Sequence, residues 1–341
     1  MTDASPFPLN VWYMAAWSEE IGETMLARRL FDTPVVLYRT GDGGVAALTD
    51  RCPHRFAPLS MGERDGDQIR CPYHGLTFNR AGECVRNPFS DRIPRAAVVK
   101  SWRVAERDGI VWLWNGDGDD CDEAAIPDFS MLDRGVPPLT GYMPMAANYE
   151  FGTDNLLDLS HIEFVHKGSF AGNGVIFAGE HSVVEEGDTL RSNWWMPDVD
   201  APGHTRGVYP PDMKTDHWLD MRWNAPATMQ LEIGATPAGG ARQDGCIVQQ
   251  AHILTPETAT TTHYFWASSR PTPVADEEID KMVRGLLEQA FIAEDKPIIE
   301  AAYKNLDGAD FWDQPPLSLG VDAGGLRARR KIAALLSAQQ Q

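Results

Sequence analysis

Cys52-Pro-His54 and Cys71-Pro-Tyr-His74 constrain this chain more than any other stretch: sixteen residues separate two short segments that each offer one thiol and one imidazole. Each pair falls where a strand pattern gives way to a turn, so two such loops brought together would gather two thiolates and two imidazoles. A structural zinc site with mixed ligands is one way to use them. Zinc modules usually pair like ligands within a knuckle, whereas each knuckle here is mixed. That division suits a 2Fe–2S cluster with two unlike irons, both cysteines on one and both histidines on the other. Neutral imidazoles in place of two thiolates make the cluster less negative and raise its reduction potential.

A chain of 341 residues leaves room for about two domains. The 30 Gly and 24 Pro are dispersed and 43% of residues are hydrophobic, which excludes wholesale disorder and collagen-like repetition. Residues 34–115 read as short strands between turns, ending in two runs that flank Glu106-Arg107-Asp108-Gly109, a hairpin turn. This is a small all-β domain. Residues 115–133 hold seven acidic residues and no basic ones, with Gly116, Gly118 and Pro127, and read as a solvated connecting loop. The expected domains are therefore 6–118 and 119–341.

In the second domain, residues 154–166 look helical and 177–270 alternate strand patterns with turns, including a hairpin of 252–256 and 262–267. The strongest helical pattern spans 276–305, with Ile279, Met282, Val283, Leu286, Leu287, Ala290 and Phe291 at helical spacing. Strands followed by one long helix predict an α+β fold: an antiparallel sheet gripped by that helix on one face. A final short helix, 326–337, carries Arg327, Arg329, Arg330 and Lys331 and reads as a surface or subunit-contact element.

A second set of metal ligands lies in Asn155-Leu-Leu-Asp158-Leu-Ser-His161-Ile-Glu-Phe-Val-His166. Its two histidines are five residues apart, and on an ideal helix they would point about 140° apart. Both can serve one metal only if the helix is overwound, bulged or ended between them, and a π-type turn is one such device. Two core or surface histidines are the alternative.

The two cysteine-histidine loops, Cys52-Pro-His-Arg-Phe-Ala-Pro-Leu59 and Cys71-Pro-Tyr-His-Gly-Leu-Thr-Phe78, closely resemble the cluster loops of the Rieske non-haem iron oxygenases. The D-x-x-H-x-x-x-x-H segment from Asp158 to His166 is similar to the iron-binding segment of the same family. The likeness extends over nearly the whole chain, through Asn10-Val-Trp-Tyr-Met-Ala-Ala, His252-Ile-Leu-Thr-Pro-Glu-Thr and Asp322-Ala-Gly-Gly-Leu. It points to the short branch without a β subunit typified by vanillate O-demethylase and dicamba monooxygenase.

The resemblance implies an N-terminal all-β Rieske domain, with its cluster on Cys52, His54, Cys71 and His74, and a C-terminal helix-grip catalytic domain. It implies mononuclear Fe(II) on His161, His166 and a carboxylate of the long helix, matched by Asp295, with Glu294 the neighbour to exclude. Pro297 should kink that helix or start a new turn. Asn155 and Asp158 are implied as catalytic residues, Asp158 lying between His161 of one subunit and His74 of the next in a head-to-tail homotrimer. Leu231 and His252 fall at substrate-facing positions, although Leu231 is apolar where dicamba monooxygenase has an amide, which speaks against carboxylate capture there. Cys84, Cys121 and Cys246 match no ligand position.

The implied activity is that of an oxygenase component using O2 and electrons that come from NAD(P)H through a ferredoxin or flavin-containing ferredoxin-type reductase. The expected reaction is oxidative O-demethylation of a methoxylated aromatic acid with release of formaldehyde. Alternatives are N-demethylation, methyl hydroxylation or ring dihydroxylation; a Rieske ferredoxin acting only as electron carrier would leave the second metal set without a role.

The net charge of −19 speaks against duplex nucleic acid or an anionic membrane as partner. Neither a secretory leader nor a membrane-spanning run is evident, and an odd count of five cysteines argues against a disulfide framework, so a cytoplasmic location is expected. From Arg51 to Arg107, however, eleven Lys and Arg face six Asp and Glu, a net of +5 that leaves −24 on the remainder. A basic cluster-bearing segment on an acidic chain is a docking place for an acidic electron donor, unless these arginines face acidic surface of the chain's own neighbouring subunit.

Overall fold

The computed structural model describes residues 5–116, 121–167, 169–170, 174–270, 276–314 and 316–339. Residues 117–120 of the acidic connecting segment thus lie outside the described residues. The chain forms two compact units, Ser5–Ile126 with Glu257–Ala259, and Pro127–Pro256 with Thr260–Gln341. The division falls after Ile126 and not at 118 because the acidic segment as far as Ile126 is tied to the first unit. There Trp12 Nε1 donates to the Asp122 carbonyl at 2.9 Å and Ile126 is buried.

The first unit is all β. Its strands are β1 (Val11–Trp17), β2 (Leu26–Leu30), β3 (Thr33–Arg39), β4 (Val45–Thr49), β5 (Glu63–Asp65) and β6 (Gln68–Arg70). They continue with β7 (Thr77–Phe78), β8 (Cys84–Arg86), β9 (Ser101–Trp102), β10 (Val104–Arg107) and β11 (Ile110–Asn115). Three sheets result, ordered β1-β11-β10, β2-β3-β4-β9 and β5-β6-β7-β8. In the β10–β11 hairpin, Glu106 and Arg107 pair as strand residues. The turn is made by Asp108 and Gly109 alone, both at positive φ (57° and 74°), as a two-residue turn between twisted strands requires. Cys52 lies between β4 and β5 and Cys71 between β6 and β7, so the small third sheet spaces the two loops.

The second unit is built on seven antiparallel strands: β12 (Leu139–Met145), β13 (Glu180–Glu186), β14 (Thr189–Asp200), β15 (Lys214–Asn224), β16 (Thr228–Pro237), β17 (Cys246–Pro256) and β18 (Thr262–Ser268). Their order is β12-β18-β17-β16-β15-β14-β13. The register puts Trp223, Met229, His252 and Trp266 in one row across neighbouring strands, so with a period of two they share a face. Leu287, Ala290 and Phe291 of the long helical segment close the core against buried side chains of that face. Burying an aliphatic or aromatic side chain of this size contributes ~1.5–3 kcal/mol.

The helices are α1 (Tyr149–Leu157), α2 (Ile162–Val165), α3 (Glu277–Glu288), α4 (Lys296–Lys304) and α5 (Ala323–Ala338). The expected single helix over 276–305 is interrupted, because Gln289–Asp295 forms a π-helix between α3 and α4. Pro297 explains why the change comes here: it sits in the first turn of α4, and in a continuous α-helix its ring would clash with the carbonyl of Ala293.

The last helix also differs from expectation. Arg330 is exposed, but Arg329 is only 3% exposed, so α5 packs as part of the core and is not merely a surface element. Its guanidinium is bonded to both oxygens of Asp154 and to Glu150, and lies 3.7 Å from the Phe311 ring centroid. Gly324 and Gly325 permit the approach. A Cβ on Gly325 would come within 2.8 Å of the Asp154 carboxylate, and one on Gly324 within 3.2 Å of Leu157. Among the described residues no helix is long and apolar enough to cross a membrane.

Candidate metal centres

The two cysteine-histidine loops share one backbone design. Cys52 N–H bonds the carbonyl five residues on, at Ala57, and Phe56 N–H returns to the Cys52 carbonyl, both at 2.9 Å. In the second loop Cys71 N–H bonds the Leu76 carbonyl at 2.8 Å and Gly75 N–H returns to Cys71 at 3.1 Å. The residue four after each cysteine has positive φ: Phe56 at 60° and Gly75 at 73°. Glycine takes that conformation freely. Phe56 does not, and the Arg51 guanidinium lies 4.1 Å from its ring centroid.

Together the loops gather all four expected ligands. The His54 and His74 rings are 4.5 Å apart between centroids. Both thiols are buried, and burial, with Cys71 close by, pushes the Cys52 thiol up to about 11. A thiol so raised stays protonated until a cation claims it. His74 Nδ1 is buried without a hydrogen-bond partner. A buried orphan nitrogen with a second imidazole close by, on loops that also bring two buried thiols together, fits a cluster with two sulfur and two nitrogen ligands. Cys84, Cys121 and Cys246 form no disulfide among the described residues.

The second site is assembled by helix ends. α1 begins at Asn148, whose side chain accepts from Glu150 N–H, and stops where Asp158 leaves helical geometry (φ −118°, ψ 89°). The Asp158 carboxylate then caps a new 3₁₀ turn, accepting from Ser160 N–H at 3.0 Å and Ser160 Oγ at 2.6 Å. That turn, Leu159–His161, passes into the one-turn α2, which ends at His166. The distortion needed for pairing is therefore a 3₁₀-to-α junction at His161 followed by termination, and the π geometry occurs instead at the carboxylate. The His161 and His166 rings lie 5.2 Å apart.

His161 Nε2 is 3.5 Å from Asp295 Oδ1, and His166 Nε2 is 3.4 Å from Asp295 Oδ2. His161, His166 and Asp295 are the group among the described residues whose ligand atoms all lie within 4.8 Å of one another. Asp295 and His166 are buried. Behind the rings, His161 Nδ1 donates to the Asp158 backbone carbonyl at 2.5 Å, and His166 Nδ1 donates to Glu294 Oε2 at 2.9 Å. Each acceptor fixes the tautomer that turns an unprotonated Nε2 toward Asp295. Asn155 Nδ2 lies 3.4 Å from Asp295 Oδ1. Two imidazoles and a carboxylate on one side of a shared volume match a facial triad with open positions.

Electrostatics follow the same arrangement. At His161 burial outweighs Asp295 and lowers the pKa. At His166 burial acts in the same sense but is overcome by Asp295 and Glu294, one at each nitrogen, and the pKa is raised. Glu294, excluded above as a ligand, is thus the acceptor that orients one. Burial opposes its ionised form, but Ser169, His166 and Gln289 bond it and hold its pKa down. Adjacent residues 294 and 295 straddle one imidazole, which periodicity alone does not indicate.

Leu231 and His252 are both buried, on β16 and β17. His252 Nδ1 is 2.7 Å from Tyr264 Oη and its Nε2 is 3.2 Å from Gln250 Oε1. Its ring packs edge-on against Phe291, one π turn before Asp295.

Two mixed cysteine-histidine knuckles and a buried 2-His-1-carboxylate site on one chain define an oxygenase of the Rieske non-haem iron class. Comparison with known proteins agrees: the Rieske 2Fe–2S domain family matches residues 11–103, and the vanillate O-demethylase oxygenase C-terminal domain family matches residues 145–338. The chain belongs to this family, in its vanillate O-demethylase branch. It is 37% identical to the oxygenase component of dicamba O-demethylase from Stenotrophomonas maltophilia, covering 96% of this chain and 98% of that one. It is 36% identical to the oxygenase component of chloroacetanilide N-alkylformylase from Rhizorhabdus wittichii, covering 98% and 97%. The crystal structure of dicamba monooxygenase bound to dicamba superposes with a TM-score of 0.90 at 36% identity, over 97% of this chain and 98% of that one.

Proposed function

We propose that this oxygenase component carries out oxidative O-demethylation of a methoxylated aromatic. The methyl C–H becomes C–OH, and the hemiacetal collapses to a phenol and formaldehyde. O2, two electrons and two protons are consumed for each methyl group, and one oxygen atom leaves as water. Iron at the triad would supply oxygen activation, and a cluster on Cys52, His54, Cys71 and His74 the electrons. The chain's own residues hold those groups: Glu294 and the Asp158 carbonyl orient the imidazoles, and burial of Asp295 excludes water around it. The observation that carries this reading is the presence on one chain of both ligand sets, joined to relatives named as O-demethylases. An electron carrier would have no use for the triad.

Electrons would come from a ferredoxin or a flavin-containing ferredoxin-type reductase, docked on the basic cluster segment, in a cytoplasmic setting. A closed head-to-tail homotrimer, with Asp158 between His161 and the partner's His74, fits the exposed aromatic residues beside each site. Tyr73 and Phe89 are 64% and 76% exposed near His74, and Phe164 and Phe177 are 65% and 64% exposed around α2. An N-dealkylation by the same C–H hydroxylation is the second reading, favoured by the N-alkylformylase relative.

The deciding experiment supplies the iron-loaded enzyme with NADH and a surrogate reductase and screens methoxyarenes, N-alkyl anilides and plain arenes. Phenol with stoichiometric formaldehyde is expected from methoxyarenes. Ring diols without formaldehyde would defeat the assignment. Asp158→Asn should leave both metals bound yet uncouple cluster oxidation from product; normal turnover would refute the bridge.

A further inference from the structure

The Asp158 backbone carbonyl sets the His161 tautomer, yet Asp158 has left helical geometry, so α1 no longer fixes the direction of that carbonyl. The peptide just ahead of it is held at both ends instead. Asp158 N–H donates to the Asp154 carbonyl at 3.1 Å, and the Leu157 carbonyl, which ends α1 with no helical N–H to meet it, accepts from Ser192 Oγ at 2.9 Å.

Ser192 belongs to β14 and is buried. Its hydroxyl has one hydrogen, and since that is spent on Leu157, Oγ must accept from His181 Nε2, 2.9 Å away. His181 stands on the edge strand β13 directly opposite Trp194, and its ring stacks on that indole at 4.6 Å and 20°. Burial lowers its pKa against the opposing field of Asp158, so at neutral pH the imidazole is neutral and its single proton sits on Nε2. Helix α5 closes over the bond: a Cβ on Gly324 would come within 3.2 Å of the Leu157 carbonyl and 3.3 Å of Ser192 Oγ.

We propose that His181 and Ser192 are positioning residues of the iron site: a relay from the His181 N–H through the Ser192 hydroxyl holds the Leu157–Asp158 peptide, and with it the carbonyl that turns His161 Nε2 toward Asp295. Neither residue is a ligand; both act through Asp158. The inference rests on iron at the triad and not on the identity of the substrate.

The test compares three variants. His181→Phe keeps a ring against Trp194 but has no donor, His181→Gln restores an N–H near the place of Nε2, and Ser192→Ala removes the link. Each is read by ferrous-ion affinity in competition with a chelator and by electron paramagnetic resonance of the iron-loaded enzyme with nitric oxide as probe, with the cluster spectrum and denaturant stability as controls. His181→Phe and Ser192→Ala should weaken iron binding about 3–10-fold, less than the loss at a residue that bonds a ligand directly, and alter the nitrosyl signal. His181→Gln should match the wild-type enzyme in both. Should Ser192→Ala fail to fold, the two variants of half-buried His181 decide the matter. Unchanged iron affinity and nitrosyl signal in His181→Phe overturns the inference, even if stability falls. So does a shift in His181→Gln as large as that in His181→Phe, because the ring and not the donor would then be what counts.

Discussion

The two metal sites hold histidines by opposite means. In the cluster loops the backbone is what is fixed: two hydrogen bonds close each knuckle, and the buried Nδ1 of His74 is left without a partner. In the triad the rings are what is fixed, since Nδ1 of both His161 and His166 is bonded from behind and Nε2 is presented. The comparison shows that the nitrogen left over, not the residue type, marks the metal-facing side. It also predicts different sensitivities, because a knuckle depends on local turns whereas the triad depends on helices brought together from distant parts of the chain.

The most severe test of that contrast is ligand deletion. Asp295→Ala should abolish turnover and lower iron from about three to about two per chain while leaving the cluster spectrum intact; Cys71→Ser should remove the cluster and leave one iron. Loss of both metals from either variant would show that the sites are not independent. Next in size is Arg329→Met. It leaves Asp154 and Glu150 as uncompensated half-buried carboxylates, and should cost about 2–3 kcal/mol of stability in the catalytic unit, measured by denaturant titration. A change below about 1 kcal/mol would mean that the clasp is dispensable.

A smaller effect is expected at Glu294→Gln, which keeps an acceptor but loses the charge behind His166. Iron affinity in competition with a chelator should fall about 10–100-fold with the cluster unaffected. Unchanged affinity would assign ring orientation to packing alone.

The mildest prediction concerns pH. Burial holds His217 down to about 4, with its Nδ1 bonded to the Gly234 carbonyl, while the unfolded chain keeps the ordinary value near 6.5. Between these values the unfolded state binds the extra proton, so this group's contribution is full above about pH 6.5 and is lost as pH falls toward 4. His204 and His252, held down to about 3 and 4, act in the same direction. Glu150, pushed up to about 7 by burial, acts oppositely. His217→Gln should therefore flatten the acid side of the stability profile; an unchanged slope would show that His217 does not set it.

The cluster site was legible because its ligands are local: four residues within two short loops, with turn residues that announce the geometry. The triad was legible only in part. His161 and His166 are close in sequence, but Asp295 came from family resemblance, since no short-range pattern joins it to them. The burial of Arg329 and the place of Glu294 behind His166 were missed for one reason. Sequence shows charge but not burial, and Arg329 lies among three other basic residues that look like a solvated face. The histidine spacing demanded a helix overwound, bulged or ended between them, and a 3₁₀ turn with a helix end meets that demand, while the π turn at Asp295 had no signal in the spacing.

A π-helix is an α-helix with one residue too many in the turn. The position of Asp295 is therefore a matter of counting as much as of chemistry. Deleting one residue within Gln289–Asp295 ahead of the aspartate would restore an ordinary helix with the flanking turns in nearly the same register, whereas in an uninterrupted α-helix the same deletion would swing the carboxylate about 100° around the axis. The extra residue thus gives this helix slack that a regular helix lacks, since one codon ahead of the ligand can be lost with the carboxylate left near its place.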